Sequence, residues 1–289
     1  MIDQGNLIPA QRRDLITKYM QDHQAARVST LGDLTGVSES TVRRDLEWLE
    51  SQGVLERTHG GAILSQRLPH EPHYAHSALA HPAEKRWIGA AAASLVEDGD
   101  VIFLNSGTTA TEAMRSLLAR PNLANITVIT SNITAGMQAA EPSFEILLLG
   151  GTLRAVSSST SGRFAIEMLN QVYASKAFIG VDGISLRYHC TTPASAEAEV
   201  ASAMIERTRG MVAIIADHSK WGVVSNFELA KIDQIQALIT DSRLDDEARL
   251  QLEARGVNVI IAPVPTTREA DRLSPEGQEI EDAPVLQKS

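Results

Sequence analysis

Two groups of residues in this chain could do chemistry. The first is the run Asn105-Ser106-Gly107-Thr108-Thr109, which follows the apolar stretch Val101 to Leu104 and precedes a helical pattern. Gly107 lets the backbone turn closely. A helix start offers unpaired N–H groups and partial positive charge, which together suit a phosphate. Ser106, Thr108 and Thr109 add hydroxyl donors. Other small polar residues also follow apolar stretches: Ser131 and Asn132, Gly150 and Gly151, Asp182, and Asp217 with Lys220. Lys220 could neutralise phosphate. Asp182 and Asp217 could accept from sugar hydroxyls, Ser131 and Asn132 form a second polar edge, and the paired glycines would let backbone approach a ligand. Each is weak alone, because Ser and Thr cap helices and Gly-Gly makes turns.

The second group lies in Val37 to Ala62, VSESTVRRDLEWLESQGVLERTHGGA. Ser38 is a good N-cap. Val42, Leu46 and Leu49 recur at four and three residues, one apolar stripe on a helix. Ser40, Thr41, Arg43 and Arg44 lie off that stripe, near the helix start, where a recognition helix reaches base edges. Arginine can fork onto guanine, and hydroxyls can meet phosphate or base. Gly53 ends the helix. Val54 to Ile63 then predicts a hairpin wing that brings Arg57, His59 and Gly60 toward the DNA backbone.

The elements that must position these groups can be read from pattern. Ala10 to Met20 predicts a helix with Leu15, Ile16 and Tyr19 inward. A short helix follows over Thr30 to Thr35, capped by Ser29 or Thr30, and Gly36 supplies the tight turn. Three helices, a glycine turn and a hairpin make a winged helix-turn-helix over residues 10 to 65. Residues 1 to 9 are expected to fray. Residues 66 to 82, with Pro69, Pro72 and Pro82, read as a linker. From residue 83 to 262, near-continuous apolar runs alternate with helical patterns. Such runs are strands covered on both faces, and their alternation with helices gives a mostly parallel sheet in an α/β domain. In open sheets of this kind ligands sit outside the carboxyl ends of the strands, where the first group falls. Residues 263 to 289 are polar and are expected to be disordered.

The run ending in Arg57-Thr58-His59-Gly60-Gly61-Ala62 resembles the amino-terminal motif of DeoR-type transcriptional regulators. The resemblance continues in order through NSGTT, TSN, LGG, GVDGI and ADHSKWG. It implies a repressor whose second domain, similar in fold to ribose-5-phosphate isomerase, senses a small phosphorylated metabolite. It also implies that Ser106 to Thr109, Asn132, Asp182 and Lys220 line the effector pocket. Glu197 and Glu199 resemble an acidic stretch near that pocket, and are read as helix-face charges without ligand contact. Two departures stand out. Asn105 replaces a common aspartate, and His189-Cys190 replaces a common glycine and apolar residue. Loss of the aspartate favours a more anionic ligand, such as a phosphorylated sugar acid. The alternative is a sugar-phosphate isomerase-like enzyme fused to a DNA reader, with Asp182 as base and Lys220 as the cation for an enolate. Against it, Gly183 to Pro193 lacks the lysine-bearing, glycine-rich loop of the isomerases.

Composition bounds the rest. A chain of 289 residues with 43% hydrophobic residues has room for two domains. Its one cysteine, Cys190, excludes an intramolecular disulfide framework. No signal peptide or membrane span is legible, so a cytoplasmic protein is expected. The net charge of −10 argues against a non-specific nucleic-acid coat. Even the reader carries few cations: Arg12, Arg13, Lys18, Arg27, Arg43, Arg44 and Arg57. Tight binding to double-stranded operator DNA is therefore expected to need a homo-oligomer, a dimer or tetramer. His70, His73, His76 and His81 crowd the linker, but no carboxylate pair or cysteine completes a metal shell there. They are read as solvated, and no metal or cofactor is expected.

Overall fold

The computed structural model describes residues 7–23, 25–51, 55–58, 60–64, 66–67, 73–138 and 144–263. Gly53, His59, Pro69, His70, Pro72, the first six residues and the tail from residue 264 lie outside the described residues.

The reader is built from α1 (Pro9–His23), β1 (Ala25–Arg27), α2 (Val28–Thr35), α3 (Glu39–Ser51), β2 (Leu55–Arg57) and β3 (Gly61–Leu64). The α3 stripe packs as its spacing dictates: Val42, Leu46 and Leu49 are buried with Ile16, Met20, Val28, Leu31 and Leu55. Three details differ from the sequence pattern. Met20 joins Ile16 in the core of α1, and Leu15 is only partly buried. Helix α2 starts at Val28, whose side chain is needed in the core, so neither Ser29 nor Thr30 caps it. The wing is also a three-stranded sheet, with β3 between β2 and the unanticipated β1. A Cβ on Gly61 would meet the Ala26 carbonyl oxygen at 2.0 Å, so β1 can pair there only with glycine. Gly36 closes α2 at φ 69°, as the tight turn demands.

Asp45 locks α3 to α1. Its carboxylate is buried and accepts from Arg12 Nε at 2.5 Å and from Arg13 Nε at 2.9 Å. Arg13 also lies over the Trp48 ring at 4.3 Å.

The second domain comprises β4 (Gln66–Arg67), α4 (Tyr74–Leu79), α5 (Pro82–Ser94), β5 (Val101–Leu104), α6 (Thr108–Leu118), β6 (Ile126–Thr130), α7 (Ile133–Met137) and β7 (Phe144–Leu148). It continues with β8 (Thr152–Arg154), β9 (Ser159–Ser161), α8 (Arg163–Leu169), β10 (Ala174–Gly180), β11 (Gly183–Ser185), β12 (His189–Thr192) and α9 (Ser195–Glu206). It closes with β13 (Thr208–Ile215), β14 (Val223–Val224), β15 (Phe227–Ala230), β16 (Ala237–Thr240), α10 (Asp246–Glu253) and β17 (Asn258–Ile261). Seven of these strands form a parallel sheet in the order β17-β16-β13-β10-β5-β6-β7. Separate apolar cores cover its two faces, one centred on Phe103, Ile179 and Ile214, the other on Ile102, Leu104 and Phe178. That is why the strands read as unbroken apolar runs.

The expected linker is only partly irregular. Tyr74–Leu79 is helical, and Pro82 opens α5, where its fixed φ and missing N–H cost nothing. The small sheets β11-β12-β15 and β8-β9 carry too short a pattern to be read beforehand. Replacing Asp45 by alanine leaves the buried Arg12 guanidinium without its carboxylate, with only the Leu7 carbonyl to donate to. It should cost the reader about 3 kcal/mol, visible as an earlier melting transition for Asp45→Ala.

Candidate functional site

Strand order reverses between β5 and β10. From β5 the chain builds outward through β6 and β7; from β10 it builds the other way through β13, β16 and β17. The crevice outside the carboxyl ends of two such strands is where open α/β sheets hold ligands. Asn105 spans it: its Nδ2 donates to the Gly180 carbonyl at 2.9 Å, and its Oδ1 accepts from the Gly180 N–H at 2.7 Å. A carboxylate could accept but not donate, so an amide suits this clasp.

The adjoining cavity is lined by Asn105, Ser106, Gly107, Thr108 and Thr109 on one side and by Gly180, Val181 and Asp182 on the other. Gly107 sits at φ 115°, and nothing lies within 4 Å of a Cβ placed there; the conformation itself, not crowding, calls for glycine. Helix α6 begins at Thr108, and its first two residues line the cavity, where the amides of a helix start are without intrahelical partners. The cavity holds about 80 Å³, against roughly 10–15 Å³ for one water on the same measure. That is room for a phosphate-sized group.

Lys220 lines this cavity, and so does Lys85, which no strand-end motif singles out. Lys85 is 4% exposed, and its ammonium donates to the carbonyls of Ser77 and Ala80. Burial pushes it below the usual lysine range; Asp217 opposes that shift and Lys220 adds to it. Its signal was legible. Lys85 precedes Ile88 and Ala92 on the buried stripe of α5, and a lysine on such a stripe needs a reason. Glu197 also lines the cavity, against the expectation of a ligand-free helix face. It accepts from Arg154 Nε at 3.3 Å and from Ser159 Oγ at 3.1 Å. Tyr74, Ser77, Ser157, Thr192 and Leu229 complete the wall, with Thr192 Oγ1 donating to Asp182 at 2.9 Å.

Five expected contacts fall elsewhere. Asn132 is fully buried: it caps α7 through Ala135 N and supports the cradle from behind, donating to the Gly107 carbonyl at 2.9 Å and to Thr111 Oγ1 at 3.0 Å. Ser131 is buried, and its carbonyl accepts from Thr160 of β9. Gly150 is held by Met168, and Gly151 is pressed against β9, where a Cβ would meet the Ser161 carbonyl at 2.4 Å. Asp217 is 2% exposed and turns the chain by accepting from Ser219. A polar residue after a strand is thus as often spent on capping as on lining.

In the reader, Ser38 Oγ accepts from the Thr41 N–H at 3.4 Å and lies 2.9 Å from Ser40 Oγ. Arg43 and Arg44 are exposed; Arg43 pairs with Glu39 at 3.2 Å, and Arg57 with Glu47 at 3.2 Å. Both are surface pairs that an incoming phosphate can displace cheaply. Gly60 is exposed, but its N–H donates to Glu247 of α10 at 3.0 Å rather than pointing to solvent.

Two family models match the chain: a DeoR-like helix-turn-helix domain over residues 12–67 and the DeoR C terminal sensor domain over residues 80–242. The chain belongs to the DeoR family of transcriptional regulators. Among its DeoR-family relatives, the HTH-type transcriptional regulator GlpR of Haloferax volcanii is 31% identical over 88% of this chain and 98% of its own. The HTH-type transcriptional repressor GlcR of Bacillus subtilis is 35% identical over 85% of this chain and 93% of its own. The match covers reader and sensor alike and sets the enzyme alternative aside. A solved ribose 5-phosphate isomerase of Methanocaldococcus jannaschii matches at 19% identity and a TM-score of 0.35, over 47% of this chain and 53% of that one. A likeness so partial carries no functional weight. Among the described residues, no helix is long and apolar enough to cross a membrane.

One departure from the DeoR pattern has a structural account. His189 adopts φ 61°, a left-handed conformation that glycine takes freely, so a glycine is natural there. Cys190 beside it is fully buried, and burial pushes its thiol up to about 12. Asn105→Ala should orphan both Gly180 backbone groups, cost about 1–3 kcal/mol, and lower the melting temperature of the sensor.

Proposed function

We propose that this chain is a repressor of a carbohydrate-utilisation operon, released from its operator by a phosphorylated sugar or sugar acid. The observation that carries this reading is the pairing of Lys85 and Lys220 in one cavity with the α6 amino terminus. Two cations and a ring of amides call for a multiply charged anion. Asp182 and Glu197 on the same wall are acceptors for sugar hydroxyls. The proposed contact set is Asn105 to Thr109, Lys85, Asp182, Glu197 and Lys220. On the DNA side it is Ser38, Ser40, Thr41, Arg43, Arg44 and Arg57, with Gly60 once the wing leaves Glu247.

The proposed switch has two states. Sensor domains associate as a dimer or tetramer and hold the readers at half-sites about one helical turn, or a multiple, apart. Effector binding favours a reader arrangement that no longer fits. A thousandfold loss of operator affinity requires the effector to prefer that state by about 4 kcal/mol. The Gly60–Glu247 bond ties wing to sensor and is one contact such a switch would make or break.

Arg44→Ala should weaken operator binding at least tenfold in a gel shift while leaving effector binding, followed by thermal shift, unchanged. Lys220→Ala should do the reverse and give a repressor that phosphorylated sugars no longer release. Normal induction of Lys220→Ala would refute the cavity assignment. Affinity for a phosphorylated ligand should also depend on pH. The charged form of Lys85 holds the anion and its pKa is lowered, so affinity should fall with rising pH earlier than an ordinary lysine allows. Calorimetry through the alkaline range with a panel of sugar phosphates measures this.

A further inference from the structure

His81 comes together with the adjacent pair Asp217 and His218 beside the cavity, although it lies far from them in sequence. One donor atom from each lies within 4.8 Å of the others. The two imidazoles meet edge to face, with ring centroids 5.0 Å apart. His218 is 15% exposed at its side chain, and its Nδ1 sits 3.0 Å from Asp241 Oδ2, itself fully buried. That contact fixes the ring and leaves Nε2 without a hydrogen bond among the described residues. Asp217 Oδ1 accepts from Ser219 N and Ser219 Oγ, which leaves Oδ2 free among the described residues. Both free atoms, with a nitrogen of His81, form a two-nitrogen, one-oxygen donor set.

We propose that His81, Asp217 and His218 form a binding site for a divalent transition metal of the zinc type. Two imidazoles and a carboxylate are a common zinc set, with ligand bonds near 2.0–2.2 Å. Side-chain rotation alone must draw the donors from within 4.8 Å to the roughly 3.4 Å spacing of a tetrahedral shell. Asp241 supplies the outer carboxylate that metal-bound histidines characteristically lean on. A third ligand count leaves a fourth position for water or a ligand atom. Asp217 favours the charged form of Lys85, which lines the cavity, so a metal on this carboxylate would sit close to a cation of the cavity. Structurally, the metal would pin the start of α5, where His81 is held at φ 50°, to the turn after β13. It would therefore staple the entry of the sensor to the end of a central strand.

The test uses the untagged full-length chain, stripped with a chelator and titrated with zinc chloride by calorimetry, with melting temperature as a second readout. One saturable zinc per chain and a raised melting temperature are expected. His81→Ala and His218→Ala should each weaken binding at least tenfold, and Asp241→Asn by about 10–100-fold through loss of the outer carboxylate. His73→Ala and His76→Ala, at exposed histidines, should bind zinc as the parent does. His81 is a half-buried loop residue whose removal leaves the sheet intact, so that variant answers even if His218→Ala misfolds. Zinc affinity unchanged in His81→Ala, or lost in His73→Ala or His76→Ala, would overturn the proposal, as would no saturable binding. Because no sugar phosphate enters the measurement, its failure leaves the effector reading untouched.

Discussion

Backbone groups at the ends of diverging strands must be paired, and that constraint shapes the sensor. Where β5 and β10 part company, their ladder stops, and Gly180 would be left with an unmatched N–H and C=O. The Asn105 side chain continues the ladder by one rung, donating and accepting in turn. Because Asn105 holds the strand ends in register, the loop after β5 is free to rise into the Gly107 turn and present the start of α6. Asn132 then braces that turn from behind through Gly107 and Thr111, and Tyr74 reaches the same Thr111 hydroxyl at 2.6 Å. Of these side chains, Asn132 supports the cradle from behind without lining the cavity, whereas Asn105 and Tyr74 do both.

Charge is arranged differently in the two domains. In the acidic chain, four of the reader's cations are engaged by carboxylates. Asp45 consumes Arg12 and Arg13 in a buried, structural pairing, whereas the pairs made by Arg43 and Arg57 are exposed and readily exchanged. The sensor does the opposite. Lys85 is buried against carbonyl oxygens, with no carboxylate in hydrogen-bond contact among the described residues. A desolvated ammonium held this way is costly until an anion arrives, which makes it a strong place for one to bind.

The two domains are coupled by more than the covalent connection. The segment expected as a loose linker contributes Tyr74 and Ser77 to the cavity wall, and its helix α4 supplies the carbonyl that meets Lys85. The wing's Gly60 amide reaches Glu247 on α10. Two residues of the segment between reader and sensor thus line the cavity, and the wing touches the sensor at a separate point.

Periodicity settled much of this without coordinates. The 4-3 spacing of Val42, Leu46 and Leu49 fixed α3, and the unbroken apolar runs fixed a two-sided parallel sheet, because helix and strand repeats are local properties of the chain. The loop from Asn105 to Thr109 was legible for the same reason, as strand, glycine turn and helix start are adjacent in sequence. What sequence could not decide was the use of each polar residue. Asn132, Ser131 and Asp217 share the composition of ligand contacts yet are spent on caps and turns, while Lys85 and Glu197 look like helix-face charges yet line the cavity. Which outcome holds depends on neighbours brought in from distant strands. Only tertiary packing set Gly180 against Asn105, Ser77 against Lys85 and His81 against His218, since burial and partnership are properties of three-dimensional proximity and not of spacing along the chain.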